Sequence, residues 1–465
     1  DWLVRSPRRP ADPTARAQVG ALRAKLQRAN MFMRASKYEV ATTIAAEVQR
    51  EAEALEWPPL IAEARLQTAS VQIMRAEYAP AEARLVEVVM QATGEGDDRL
   101  AAQAASNLAY VVGEGLGRPE EGVRWGHLAL AMLRRIGEDD GLDAADTQAA
   151  LGIVEEGRGN YEEGHRLKER VLAIRERRLG PEHPAVGTAY NLLGINHLAR
   201  GDVAAAQRAH ERGLAIRLAA LGPDHLEVAT SHLNLGNVFL TRGEHARAAG
   251  LYTEARRIFT EVLGPGHPST SGALANLGLC QLALGEFEPA LANLRQTLVD
   301  RERALGPEHW LVAYSRAGIG DALVKMKDLA GAEAEYRRAL ATFEGALGPE
   351  HPHVATALFK VAEVSRMRGA LVDALPLIER AVAIARAREV PPVARAVMEF
   401  LLGQVLWEVG AERERARALI LAALPELMVG GEGIDGEVDR DEVQRWLAAH
   451  DDVLRAGAVS LEPSG

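Results

Sequence analysis

Along most of the chain, apolar residues recur at three- and four-residue intervals, the spacing of one face of an α-helix. Two such stretches, Val186–Ala199 and Val203–Leu221, flank the short polar break Arg200-Gly201-Asp202. A break that short forces the two predicted helices to lie antiparallel. The pair then repeats. Leu179-Gly180-Pro181-Glu182-His183-Pro184 returns in register, 42 residues at each step, beginning at Leu221, Leu263, Leu305 and Leu347, without an insertion. In this connector Gly is expected in the left-handed position that ends a helix, followed by Pro, which cannot continue it. The second Pro suits the first position of the next helix, where a missing amide hydrogen costs nothing. Each unit is therefore a helical hairpin. About ten are expected between Leu22 and Pro425, in an all-α, alpha-alpha superhelix.

Small residues keep the same period. Gly152, Gly194, Gly236, Gly278 and Gly320 fall midway along the first helices, and Ala362 follows. Glycine inside a helix costs about 1 kcal/mol, so the row predicts a partner helix too close for a side chain. Ala206, Ala248, Ala290, Ala332 and Ala374 form the matching row on the second helices. The turns read Gly117, Gly159, Gly201, Gly243 and Gly285, then Lys327, then Gly369.

The ends are less regular. Residues 1–20, with Arg5, Arg8, Arg9 and Arg16 and several prolines, read as linker, and 21–140 as divergent hairpins. Regular repeats occupy 141–352 and C-terminal hairpins 353–429. Residues 430–465 read as an acidic Gly-rich break, a short capping helix over Asp441–Leu454 and a tail. The chain begins at Asp1 rather than Met, which points to a fragment of a longer protein.

Composition narrows the function classes. Aromatics make up 5% of the 465 residues, which favours helices packed through small side chains over sheets. Lys and Arg number 54 against 65 Asp and Glu, a net charge of −11, opposite in sign to a non-specific nucleic-acid binder. No apolar run approaches the length of a membrane span. The single cysteine, Cys280, excludes an internal disulfide and any cysteine-based zinc cluster, and reads as a buried structural thiol. A cytoplasmic, non-membrane protein is expected.

The glycine and alanine rows, with the Leu-Gly-Pro-(Asp/Glu)-His-Pro connector, resemble tetratricopeptide repeats of the kinesin-light-chain type over most of the chain. The resemblance implies a solenoid whose first helices line a concave groove for peptides or partner proteins. It also implies groove residues: Asn191, Asn234, Asn237 and Asn276, beside the family's Asn-Asn-Leu-Gly motif, then Lys325 and Arg366 further along. Asparagine can pair with a peptide backbone whatever the peptide's sequence, or bond locally between helices. Phe359 and Met367 lie in the same region, where packing is expected. Departures at Arg316, Asp321 and Phe359 separate this groove from the family pattern. The loose early hairpins and Ala105-Ser106-Asn107-Leu108-Ala109-Tyr110-Val111-Val112-Gly113, followed by kinesin-type repeats, are similar to the C-terminal sensor region of bacterial Ser/Thr protein kinases. That resemblance implies a kinase domain upstream and a recruiting role here. The alternative is a regulatory module for a small ligand or signalling peptide.

No enzyme activity, cofactor or metal is expected. The connector histidines lie one hairpin apart, too far to converge on one ion, and capping or hydrogen bonding between repeats is their expected role. Gly113-Glu114-Gly115-Leu116-Gly117 lacks the third glycine and the strand of a dinucleotide site. Asp435, Glu437, Asp439 and Asp441 alternate like a calcium loop, but Arg440 and Trp446 stand where Gly and Glu belong.

Overall fold

The computed structural model describes residues 12–34, 37–388, 390–410, 412–429 and 440–450. Among them are 21 α-helices and no strand. Ten hairpins account for twenty of the helices. The first four are α1 (Pro13–Arg34) with α2 (Tyr38–Ala54), α3 (Pro58–Met74) with α4 (Tyr78–Glu95), α5 (Asp98–Tyr110) with α6 (Pro119–Arg135), and α7 (Leu142–Gly157) with α8 (Tyr161–Leu179). Next come α9 (Pro184–Ala199) with α10 (Val203–Leu221), α11 (Leu226–Thr241) with α12 (His245–Leu263), and α13 (Pro268–Ala283) with α14 (Phe287–Leu305). The last three are α15 (Trp310–Lys325) with α16 (Leu329–Leu347), α17 (Pro352–Met367) with α18 (Leu371–Ala387), and α19 (Pro392–Val409) with α20 (Arg413–Val429); α21 (Arg440–Ala449) follows alone. The chain forms two compact units, Asp1–Ile258 and Phe259–Gly465, divided within α12.

The repeat spacing sets the local structure. In all five full connectors the histidine caps the next helix. The Nδ1 atoms of His183, His225, His267, His309 and His351 accept from the backbone amide two residues on, at 3.1–3.2 Å. The connector glycines differ from expectation. Gly180 has φ 86° and ψ 154°, and Gly306 has φ 85° and ψ 155°. This is extended backbone of positive φ, which glycine alone adopts readily, rather than left-handed helix. Lys327 takes φ 64° in a turn where its counterparts are glycine. A side chain there costs roughly 1–2 kcal/mol.

The alanine row is fully buried at Ala206, Ala248, Ala290, Ala332 and Ala374, so the helices of each hairpin meet through it. Opposite each mid-helix glycine lies a second-helix side chain: Lys168, His210, Tyr252, Leu294 and Tyr336 in turn. A Cβ on Gly236 would sit 2.6 Å from the Tyr252 ring, and that ring is completely buried. Gly236→Leu should therefore cost about 3 kcal/mol by overpacking, read as a lower melting temperature. An unchanged melt would mean that the α11–α12 hairpin separates without penalty.

Three arginines form a further row. Arg175, Arg217 and Arg301, on second helices, each donate from Nη1 to the backbone carbonyl ten residues ahead, at Ala185, Glu227 and Leu311, all at 3.1 Å. Arg217 and Arg301 also reach Ser231 Oγ (2.7 Å) and Ser315 Oγ (2.9 Å). Each guanidinium thus ties its helix to the first turn of the next hairpin. Phe259, between Arg217 and Arg301, and Phe343, after Arg301, are both buried and hold the other places in the row.

The third hairpin carries one extra residue. Leu108-Ala109 precedes Leu151-Gly152 by 43 residues, whereas Gly117 precedes Gly159 by 42. The surplus falls where Val111–Gly115 forms a π-turn after α5, the usual way a helix absorbs a single insertion.

The N-terminal expectation needs correction. Helix α1 starts at Pro13, inside the stretch read as linker, because Val19, Leu22 and Leu26 form a helical stripe that packs against Val48, Leu60 and Ala64. At the other end, Val443 and Leu447 of α21 pack on Phe400, Ile420 and Leu427. The acidic break at 430–436 and the tail from 451 lie outside the described residues. No described helix is long and apolar enough to cross a membrane.

Candidate functional site

Within each unit, first helices of neighbouring hairpins approach one another, as α9 does α11 and α13 does α15, more extensively than second helices do. First helices therefore form the inner layer of each unit, and the expected binding residues lie on them.

In the first unit, Asn191 and Asn234 are brought together. Asn191 is buried, and its Oδ1 accepts from Asn234 Nδ2 at 2.9 Å. The same oxygen accepts from His210 Nδ1 at 2.7 Å. The His210 ring fills the space over Gly194, where a Cβ would lie 2.5 Å from it. Burial, and then the charge of Arg217, pushes His210 down to about 4, so the ring is neutral at pH 7. Asn237, half-buried, accepts from the Tyr252 hydroxyl at 2.7 Å.

The second unit repeats that last contact with charged groups. Asp321 accepts from the Tyr336 hydroxyl at 2.6 Å and from Lys360 Nζ at 2.7 Å. Arg366 pairs with Glu408 at 2.7 Å, and Trp446 of α21 reaches the same carboxylate at 3.4 Å. Asn276 is half-buried on α13, and Lys325 is exposed at the end of α15. These three second-unit residues, Asn276, Lys325 and Arg366, stand on separate helices. Phe359 is core, as expected, but Met367 is half exposed rather than packed.

One polar network escaped the sequence reading. Lys168, 1% exposed, donates to Glu156 Oε1 at 2.5 Å. Asn196 Nδ2 donates to the same oxygen at 2.6 Å, and Asn196 Oδ1 lies 3.0 Å from His165 Nδ1. The His165 ring meets His197 edge-on at 4.9 Å. Burial holds Lys168 below the usual lysine range despite Glu156. Lys168 sits opposite Gly152 at the place filled elsewhere by Tyr252 and Leu294, and that register was the available signal. Cys280 is buried, and burial alone pushes its thiol up to about 11, so it is unreactive at neutral pH.

The family profile for the tetratricopeptide repeat matches residues 100–177, 143–219, 210–261, 250–298 and 301–387, more than half of the chain. No curated protein matches the sequence significantly. Among solved structures, the apo form of RapI superposes with a TM-score of 0.54 at 14% identity, over 79% of this chain and 98% of that one. A STAND signal-transduction ATPase with a tetratricopeptide repeat sensor, from Pyrococcus horikoshii, gives 0.55 at 12% identity, over 85% of this chain and 54% of that one. A putative kinesin light chain from Podosopora anserina, with nearly identical repeats, gives 0.38 at 23% identity, over 43% and 94%. With the hairpin rows and the profile in agreement, the chain belongs to the tetratricopeptide repeat family.

Proposed function

We propose that the chain is a protein-interaction scaffold that binds peptides or partner proteins along the first-helix face of its hairpins. One contrast carries this reading. The framework rows keep their residue types from repeat to repeat, in the histidine caps and the buried alanines. The first-helix position just after the mid-helix glycine does not: it reads Ile195, Asn237, Leu279, Asp321 and Glu363. Ile195 and Leu279 are 42% and 41% exposed. A constant scaffold with a variable, partly apolar inner face suits recognition of partners that differ along their length. Asn234, Asn237, Asn276 and Lys325 border this face and are proposed contact residues. Recruitment for a kinase rests on the sequence resemblance of the Ala105–Gly113 region.

Panning the chain against a random peptide library tests the reading. Captured peptides should be lost with Ile195→Asp or Leu279→Asp and retained with Leu218→Asp on the second-helix side, all three variants keeping the parent melting curve. Equal loss with Leu218→Asp, or no selected peptide, would overturn it.

A further inference from the structure

A cavity of about 450 Å³ opens in the first unit among α3, α4, α5 and α7, within the range of sites that bind small groups. Ile73 and Met74 contribute apolar wall, Tyr78 and Tyr110 aromatic wall, and Asn107 and Asp146 polar atoms. The two tyrosine rings meet edge to face with centroids 6.4 Å apart. Tyr78 opens α4 and Tyr110 closes α5, directly before the π-turn. A Cβ at Gly115, in the π-turn, would stand 2.6 Å from the Tyr78 ring, so glycine there seats the tyrosine against bare backbone. The Gly-Glu-Gly sequence that brushes a nucleotide motif is thus part of the cavity's support.

The polar atoms share one character. Asn107 is half-buried, and its carboxamide makes no hydrogen bond within the described residues. Asp146 is the sole charged residue of the lining. Its Oδ1 is held by Arg175 at 2.8 Å, yet its side chain stays 66% exposed. Burial, and next the nearby Tyr78, pushes the Tyr110 hydroxyl up to about 12, so it remains protonated. Exposed Glu114, on the π-turn, adds to the negative field at Tyr110. The lining itself thus offers two ring faces, a carboxylate and a free amide, and Arg175, which meets Asp146, is not part of it.

We propose that this cavity receives the side chain of an arginine or lysine within an extended peptide. The methylenes lie on Ile73 and Met74, the cationic head faces the tyrosine rings and Asp146, and Asn107 pairs with the peptide backbone. Ring faces attract such cations, and long basic side chains bury their stems readily. The proposal rests on the peptide-binding reading above and assigns it a residue preference.

The test uses the full chain with ¹³C-labelled methionine methyls, Met74 being assigned through Met74→Leu. The probes are the end-blocked pentapeptides Ala-Ala-Arg-Ala-Ala and its Leu- and Glu-centred counterparts. The Arg peptide should shift Met74 saturably, and bind about fivefold more weakly to Asp146→Asn. The Glu peptide should give no shift. Arg175→Met, which releases the Asp146 carboxylate, should tighten the Arg peptide, with melting curves showing that both variants stay folded. A Leu peptide that binds as tightly as Arg, or an Asp146→Asn variant of unchanged affinity, would overturn the cationic assignment. So would an unmoved Met74 resonance up to the solubility limit of the Arg peptide. Selected peptides that still need Ile195 and Leu279 while Met74 stays unmoved would sink this proposal and leave the scaffold reading standing.

Discussion

Glu156→Leu should destabilise the α7–α9 region by about 3–5 kcal/mol at neutral pH, the range for stranding one member of a buried ion pair. Lys168 is 1% exposed and Glu156 Oε1 lies 2.5 Å from its ammonium. Without that carboxylate the ammonium has no counter-charge, and Asn196 Nδ2 loses its 2.6 Å acceptor. Repeat proteins open locally, so the measurement is amide hydrogen exchange across α7–α9 rather than a global melt. The double variant Glu156→Leu/Lys168→Met should recover most of the loss, because it removes both charges and keeps the volume. Protection in the single variant within about 1 kcal/mol of the parent would mean that Lys168 reaches water and that the pair is incidental.

Acidification should weaken the first unit progressively between pH 6.5 and 4. His210 is held at about 4 in the folded chain, against 6.5 for the free side chain. Above pH 6.5 both states carry it neutral and it contributes no pH dependence. As pH falls below 6.5 the unfolded chain takes up a proton that the folded one refuses, so stability drops. The loss reaches about 3 kcal/mol by pH 4 for this residue. His197 and His232, also lowered by burial, act in the same direction. His210→Phe keeps a ring over Gly194 and leaves Asn191 bonded to Asn234. It should flatten the stability profile between pH 6.5 and 4. A profile that keeps its slope in this variant would assign the acid sensitivity to other groups.

What was legible in the sequence was whatever recurs. The 42-residue period marks both helices, the turn and the connector, since the same local chemistry must be repeated to build the same hairpin. The mid-helix glycines announced close packing, and Tyr252 over Gly236 and His210 over Gly194 supply it. The histidines announced capping or bonding between repeats, and they cap. The arginine ties recur too, at Arg175, Arg217 and Arg301, but the two phenylalanines in their row broke the pattern. Least legible were the sites that depart from the period. Lys168 and His210 occupy a position filled elsewhere by Leu294 or Tyr252, and only the fold shows which partners neutralise them. The π-turn that backs Tyr78 comes from a one-residue surplus, which in the sequence reads as mere degeneracy. Among the expected contact residues, Asn191 could not be told from its neighbours by type alone. Burial shows that its amide is used between helices.

The arginine ties carry a consequence for biogenesis. Each reaches only ten residues ahead, so a hairpin leaving the ribosome needs no more than the opening turn of its successor to be fastened. Such sequence-local closure favours rapid, ordered assembly, with the growing end of the nascent polypeptide as the segment still awaiting a neighbour.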